Sequence, residues 1–564
     1  MTESEGRPAT DVDRLAERYL DDYLTLDPVL ATICGIAGHD TELPDLSPDG
    51  RAELSALRRR VLSSLDGATA GDATDRVTVT AMRDRIEAAE SIRAIGAEES
   101  SLNNVESPVQ TLRRVFDLMP TATVDDWAAI AVRLARVPTA IRGYIASLRF
   151  AAARGQVSAR RQIEAGIAES SQNADPTGFF AALVETASAS AKDLPVSLRG
   201  DLDRGAQAAA GAYGELAMFL DEELRAQARD TDAVGRDVYA VFARSALGTS
   251  VDLEETYLWG QDELARVNDE QRRTAEQIRP GGSLQEAMEY LDADPARRLS
   301  GTKELLAWMQ QTSDAAVATL ADTQFDIPAP IRALECRIAP TPGGIYYTGP
   351  SEDFTRPGRM WWGVDPGVTE FVTWRELSTV YHEGVPGHHL QMAQTAYRKE
   401  LLNRWRRSEA AWVDGHGEGW ALYAEALMAE LGFLDDPGDY LGLLASQSFR
   451  AVRVVIDIGF HCGFPAPAEV GGGAWTYEKA WQLLSAHSVK DEPSLRFELD
   501  RYLGWPGQAP SYKIGERWWL QLRDDVRARE GDAFDLKVFH RRALDIGSVG
   551  LDVLRAAVLD EYGG

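Results

Sequence analysis

The residues best suited to chemistry lie between Tyr381 and Gln391, in the run Tyr-His-Glu-Gly-Val-Pro-Gly-His-His-Leu-Gln. A zinc hydrolase needs two or three imidazoles or carboxylates on the metal and one open position for water. It also needs a carboxylate beside that water as general base. The common short solution is H-E-x-x-H on a helix, with both histidines on one face. Here Pro386 stands where the second histidine of that pattern would fall, and the spacing becomes H-E-x-x-x-x-H-H. In a straight helix His382 and His388 would sit about 600° of rotation apart, and His389 would lie ~10 Å along the axis from His382. Neither pair could then share one ion. Pro386-Gly387 breaks the regular hydrogen bonding and permits irregular backbone. A local bulge of two residues is therefore expected to carry His388 to the second-ligand position. His389 stays open as the alternative ligand, or as a donor that supports one. Glu383 is the candidate base.

A third ligand is expected from a neighbouring helix. Glu418 lies in DGHGEGWALYAE, ahead of an apolar face made by Trp420, Tyr423, Ala424, Leu427 and Met428. Glycines on both sides of it allow close backbone approach. Glu425, two turns further on, reads as a partner that orients a ligand. Arg450, Arg453, Asp457 and His461 recur at i, i+3, i+7 and i+11, a polar stripe on a helix rich in Val and Ile, in which Arg450 and Arg453 are expected to bind substrate and Asp457 to support a ligand or serve as an alternative one. Arg453 and Asp457 are spaced to pair. His461, near the helix end, reads either as a further catalytic group or as a cap on the helix C-terminus. In the turn-rich stretch that follows, Tyr512 is placed to donate to an oxyanion. Arg501 or Lys513 could hold a substrate carboxylate.

Composition narrows the chemistry further. Of the eight histidines in 564 residues, five fall between 382 and 461. The three cysteines, Cys34, Cys336 and Cys462, are far apart with no C-x-x-C pair, so a metal must be held by histidine and carboxylate. The net charge of −29 argues against nucleic acid and anionic membrane as partners. The opening residues show no apolar h-region, and no run approaches ~20 apolar residues, so a cytoplasmic protein is expected.

These groups must be positioned by helices. Residues 11–330 read as helix after helix, the first with Asp11 as N-cap and Asp27-Pro28 as its stop. From about 323 the chain turns rich in proline and glycine, with strands expected at 331–338 and 345–348. Helical texture returns at Thr373, where T-W-R-E forms a capping-box pattern with Glu376. The expected fold is mainly α: an N-terminal helical lobe (1–322), a small β insert (323–372) and a helical catalytic lobe (373–564), joined in one body.

HEGVPGHHLQ, EGWALYAE, RVVIDIGFH and PGQAPSYKIG, together with GHDTELPDLSPDG and YYTGPSEDFTRPG, resemble the signature blocks of domain-of-unknown-function family 885. The resemblance spans nearly the whole chain in the same order. That family is similar in fold to mostly helical zinc peptidases. It thus implies a deep channel between two lobes, with one zinc ion held by His382, His388 and Glu418. It implies Glu383 as base and Tyr512 as oxyanion donor. The β insert, with Tyr347, would offer an edge strand to an extended peptide. The expected activity is hydrolysis of short peptides. The alternatives are a zinc amidohydrolase for a specialised small molecule, and a non-catalytic helical binding protein. Oligomeric state is not legible from the sequence.

Overall fold

Most segments of this chain carry apolar residues on one face and charges on the other, and they fold as helices that bury the apolar side. The computed structural model describes residues 7–190, 194–339 and 344–560, the side chains of 188–190 excepted. The fold is mainly α with a small β insert. Helix α1 (Asp11–Leu26) is capped by Thr10, one residue before the expected Asp11. The Thr10 hydroxyl accepts from Asp13 N–H and the Asp13 carboxylate accepts from Thr10 N–H, a reciprocal pair that Asp11 cannot make. Helix α2 (Val124–Ala152) lies along α3 (Val196–Phe219) around Trp127, Ile141, Tyr144 and Tyr213. Helices α4 (Arg236–Leu247) and α5 (Leu253–Ile278) follow.

The insert holds a three-stranded sheet of β1 (Leu334–Ile338), β2 (Ile345–Thr348) and β3 (Gly358–Trp362), in the order β1-β3-β2. β1 runs parallel and β2 antiparallel to β3. The first strand starts later than the expected residue 331, because Ile331 belongs to a 3₁₀ turn, Ala329–Arg332. The central strand, β3, was not among the expected ones. It pairs on both sides, and this leaves β2 at an edge.

Six helices then build the site: α6 (Thr373–Glu383), α7 (His388–Tyr397), α8 (Asp414–Glu430), α9 (Pro437–Cys462), α10 (Glu492–Gly504) and α11 (Ser511–Glu530). α6 packs on α9, α5 runs along α9, and α8 runs along α11. The expected capping box at the start of α6 does not form: Val372 occupies the N-cap, and Glu376 lines a cavity instead.

One apolar core joins Tyr19, Met82, Tyr239 and Tyr257 to Trp420, Tyr423, Val454 and Trp519. The helices α2 and α3 belong to a second core of their own. The residue-322 border therefore does not separate the cores, because α1, α4 and α5 pack into the body that carries the site. Among the described residues no helix is long and apolar enough to cross a membrane.

Candidate metal centre

The helix that starts the motif does not merely bulge at Pro386-Gly387. It stops at Glu383 and a new helix begins at His388. Gly387 makes the reversal possible: a Cβ there would lie 1.9 Å from the His382 carbonyl oxygen. The break turns His388 back toward His382, with ring centroids 4.8 Å apart and planes nearly perpendicular. Glu418 enters from α8, which reaches this depth because Gly419 lies against the backbone of Gly515 on α11. A Cβ on Gly419 would come within 2.5 Å of Gly515.

The donor atoms of His382, His388 and Glu418 all lie within 4.8 Å of one another. Each histidine Nε2 is 3.4 Å from Glu418 Oε2. A tetrahedral ion with bonds of ~2.0–2.1 Å sets its donors about 3.3–3.4 Å apart. Glu418 Oε2 is buried and makes no hydrogen bond, so it is an orphaned acceptor facing two imidazoles. The spacing and the unpaired oxygen both fit a bound cation.

Glu425, fully buried, accepts from His382 Nδ1 at 2.8 Å. That bond directs the His382 Nε2 lone pair toward Glu418 and His388. Burial works against a charged His382, yet Glu418 and Glu425 outweigh it and raise its pKa to about 10, the mark of a negative local field in which a proton and a metal cation compete for the same imidazole. His389, though adjacent, points elsewhere: it bonds Ile331 O at 2.7 Å through Nε2 and the Tyr347 hydroxyl at 3.0 Å through Nδ1. Burial drops its pKa to about 4, so it is neutral. Tyr347 thus ties the β sheet to α7.

Glu383 follows the first histidine and its Oε2 is buried without a partner. Burial, against the opposing pull of the two histidines, raises its pKa. The Tyr512 ring lies nearly parallel to His382 at 6.4 Å. His382, Glu383 and Tyr512 line two cavities at once, of about 450 Å³ and 230 Å³. The smaller one also contains His388, Glu418, Glu409 and β2 residues Ile345 to Tyr347. It shares Trp412 with a third cavity of about 600 Å³, walled partly by Arg58, Glu98 and Arg229 from the N-terminal half.

Several expected site residues lie outside this centre. The stripe on α9 divides: Arg450 and Arg453 face the larger cavity, while Asp457 and His461 are buried toward α4. Arg453 does not pair with Asp457; it bonds the Tyr502 hydroxyl and Glu498, both on α10. Asp457 accepts from the Tyr239 hydroxyl at 2.6 Å and from Gly507 N–H at 2.8 Å. His461 bonds the Tyr502 carbonyl and stacks on Tyr239, a structural position rather than a catalytic one. Lys513 is buried between Glu263, Glu516 and Gln447, so its charge is already matched. Arg501 lines the larger cavity. Sequence reasoning missed Glu409, Trp412 and Glu498. Only Glu498 left a signal, three residues before Arg501 on one helix face.

Residues 28–558 match the family described as "Bacterial protein of unknown function (DUF885)". The chain belongs to this family. No curated protein matches it. The DUF885 chain is similar in fold to a crystal structure described as "the putative lipoprotein from Colwellia psychrerythraea". That likeness has a TM-score of 0.84 and 24% identity, and covers 98% of each chain. It is also similar to a Shewanella oneidensis structure described as "a putative lipoprotein of unknown function", with a TM-score of 0.74 and 16% identity. Coverage there is 98% of this chain and 100% of that one.

Proposed function

We propose that this DUF885 protein is a zinc-dependent hydrolase that cleaves amide bonds of short peptides. The observation that carries this reading is the His382–His388–Glu418 cluster, spaced for one ion, with the free carboxylate oxygen of Glu383 beside it. Two imidazoles and one carboxylate without a thiolate suit a catalytic zinc with an open position. Zinc held there supplies a Lewis acid and lowers the pKa of a water molecule. Glu383 takes a proton at Oε2 from a water in the cavity and returns it to the leaving amine. The Tyr512 hydroxyl donates a hydrogen bond to the amide oxygen as negative charge develops there. Glu425 keeps His382 in the tautomer that leaves Nε2 free.

Two features favour a peptide. Edge strand β2 lines both cavities and leaves main-chain groups for an extended backbone to pair with. The larger cavity, about 450 Å³, falls in the size range of small-ligand pockets, ~300–1,000 Å³, and the smaller one of about 230 Å³ adjoins it through His382, Glu383 and Tyr512. Elemental analysis and a peptide panel test the reading together. Glu383→Gln is expected to keep one zinc per chain and lose turnover, and His382→Ala to lose both. Full activity of Glu383→Gln would refute it.

A further inference from the structure

We propose that the larger cavity recognises the free α-carboxylate of the peptide, with Arg450 as its direct partner, so that cleavage proceeds from the carboxyl end. This rests on the hydrolase reading above and adds a substrate class to it. Arg450, Arg453 and Arg501 line the same cavity as His382, Glu383 and Tyr512. One carboxylate serves two of these cations: Glu498 accepts from Arg453 at 3.1 Å and from Arg501 at 3.3 Å. Burial alone would raise the Glu498 carboxyl, but the two guanidiniums hold it at about 2, so it cancels one charge only.

Among the described residues Arg450 makes no direct ion pair, and Glu383 and Glu425 feel its charge only from further away. Its hydrogen bond goes to the neutral Ser446 hydroxyl, and among the described residues no carboxylate lies within ion-pair distance of it. Arg450 Nε, Arg453 Nη1 and Arg501 Nε are all buried without a partner. Three unpaired guanidinium nitrogens around one cavity are costly unless an anion completes them. A carboxylate matches the guanidinium fork in geometry as well as charge. The other charged groups of the cavity do not fill this role. Arg375 is paired with Asp292, Lys490 is exposed, and Glu376 and Glu383 are the remaining acids.

The smaller cavity sets the polarity. Among the described residues its lining contains no lysine or arginine, and it carries Glu409 beside the cluster. An anionic terminus is therefore repelled from that side and accepted on the Arg450 side. With His382, Glu383 and Tyr512 on the wall of the same cavity, only a short segment fits between the cleaved bond and the carboxylate. Lys513, the other cation suggested for this role by the sequence, is closed off by Glu263 and Glu516.

The test uses zinc-loaded Glu383→Gln protein and calorimetric binding of N-acetyl-trialanine as free acid and as C-terminal amide. The free acid is expected to bind at least ~10-fold tighter, the scale of one hydrogen bond to a charged group. Arg450→Ala should erase that difference without changing zinc content or melting temperature, and Arg450→Lys should keep part of it. Equal binding of acid and amide would overturn the inference, as would failure of both to bind. A C-terminal amide carrying an internal Asp that matches the free acid would also overturn it, by assigning the cavity to side-chain carboxylates. Selective binding of the acid without turnover of any peptide by wild type would support the carboxylate site while refuting the peptidase reading.

Discussion

The His382–Glu425 hydrogen bond gives the sharpest test of how the proposed metal centre is held. Glu425 is wholly buried and lies 2.8 Å from His382 Nδ1, while His388 Nδ1 has no partner. Among the described residues Glu425 is thus the side chain that fixes the ring orientation of His382. Replacing it with Gln keeps the volume and an acceptor oxygen but removes the charge. A hydrogen bond to a charged group contributes about 1.5–3 kcal/mol, and each 1.4 kcal/mol is a factor of ten. The zinc dissociation constant is therefore expected to rise ~10- to 100-fold in Glu425→Gln, and at least as far in Glu425→Ala. Competition against a chromogenic chelator at fixed pH measures it directly. The zinc-dependent part of the stability should shrink by about 1.4 kcal/mol per tenfold loss, which thermal melts at matched free zinc report. Melts of the metal-free proteins control for folding. Wild-type zinc affinity in both variants, with intact melts, would show that Glu425 does not support the ligand, and the reasoning from burial and distance would fail.

Other outcomes follow from the same geometry. His388→Ala is expected to lose zinc and His389→Ala to retain one ion per chain, read by elemental analysis, because His389 is committed to Ile331 and Tyr347. Asp457 is pushed up to about 7 by burial, against the hydrogen bonds of Tyr239 and Gly507. A carboxyl whose folded pKa is raised takes up protons on folding between its unfolded and folded values. Its contribution is thus full below about 4 and is lost as pH rises to about 7. Asp457→Asn should therefore gain stability relative to wild type across that window, seen as a rising difference in urea midpoints; a flat difference would count against it. Gly419→Ala should cost roughly 1–3 kcal/mol and lower zinc occupancy, since its Cβ would collide with Gly515 and push α8, with Glu418, outward. Thermal melts and metal analysis would check this.

Much of the site was legible because its signals are local. Glu383 follows His382 on one helix, and the apolar face of Trp420, Tyr423, Leu427 and Met428 is read directly from helical periodicity. The Pro386-Gly387 interruption is equally local, although its outcome is a full break instead of a bulge. The errors came where several local patterns were compatible with one string. Thr373-x-x-Glu376 has the letters of a capping box, yet the Glu376 side chain turns to a cavity. Arg453 and Asp457 have the spacing of an ion pair, yet each found a better-placed partner on another element.

The sequence alone determined which residue types could bind a metal, which helix begins the motif, and that no two cysteines are spaced as a ligand pair. These depend on composition and on neighbours within a few residues, where backbone geometry is nearly fixed. Tertiary structure decided which of His388 and His389 faces Glu418, because ring direction after a helix break follows packing and not periodicity. It also decided which charges remain available. Lys513 is matched by Glu263, some 250 residues away in sequence, and Arg453 by Glu498 on α10, while Arg450 meets no carboxylate among the described residues. A buried charge takes the nearest compatible partner in space, and that choice is invisible in one dimension.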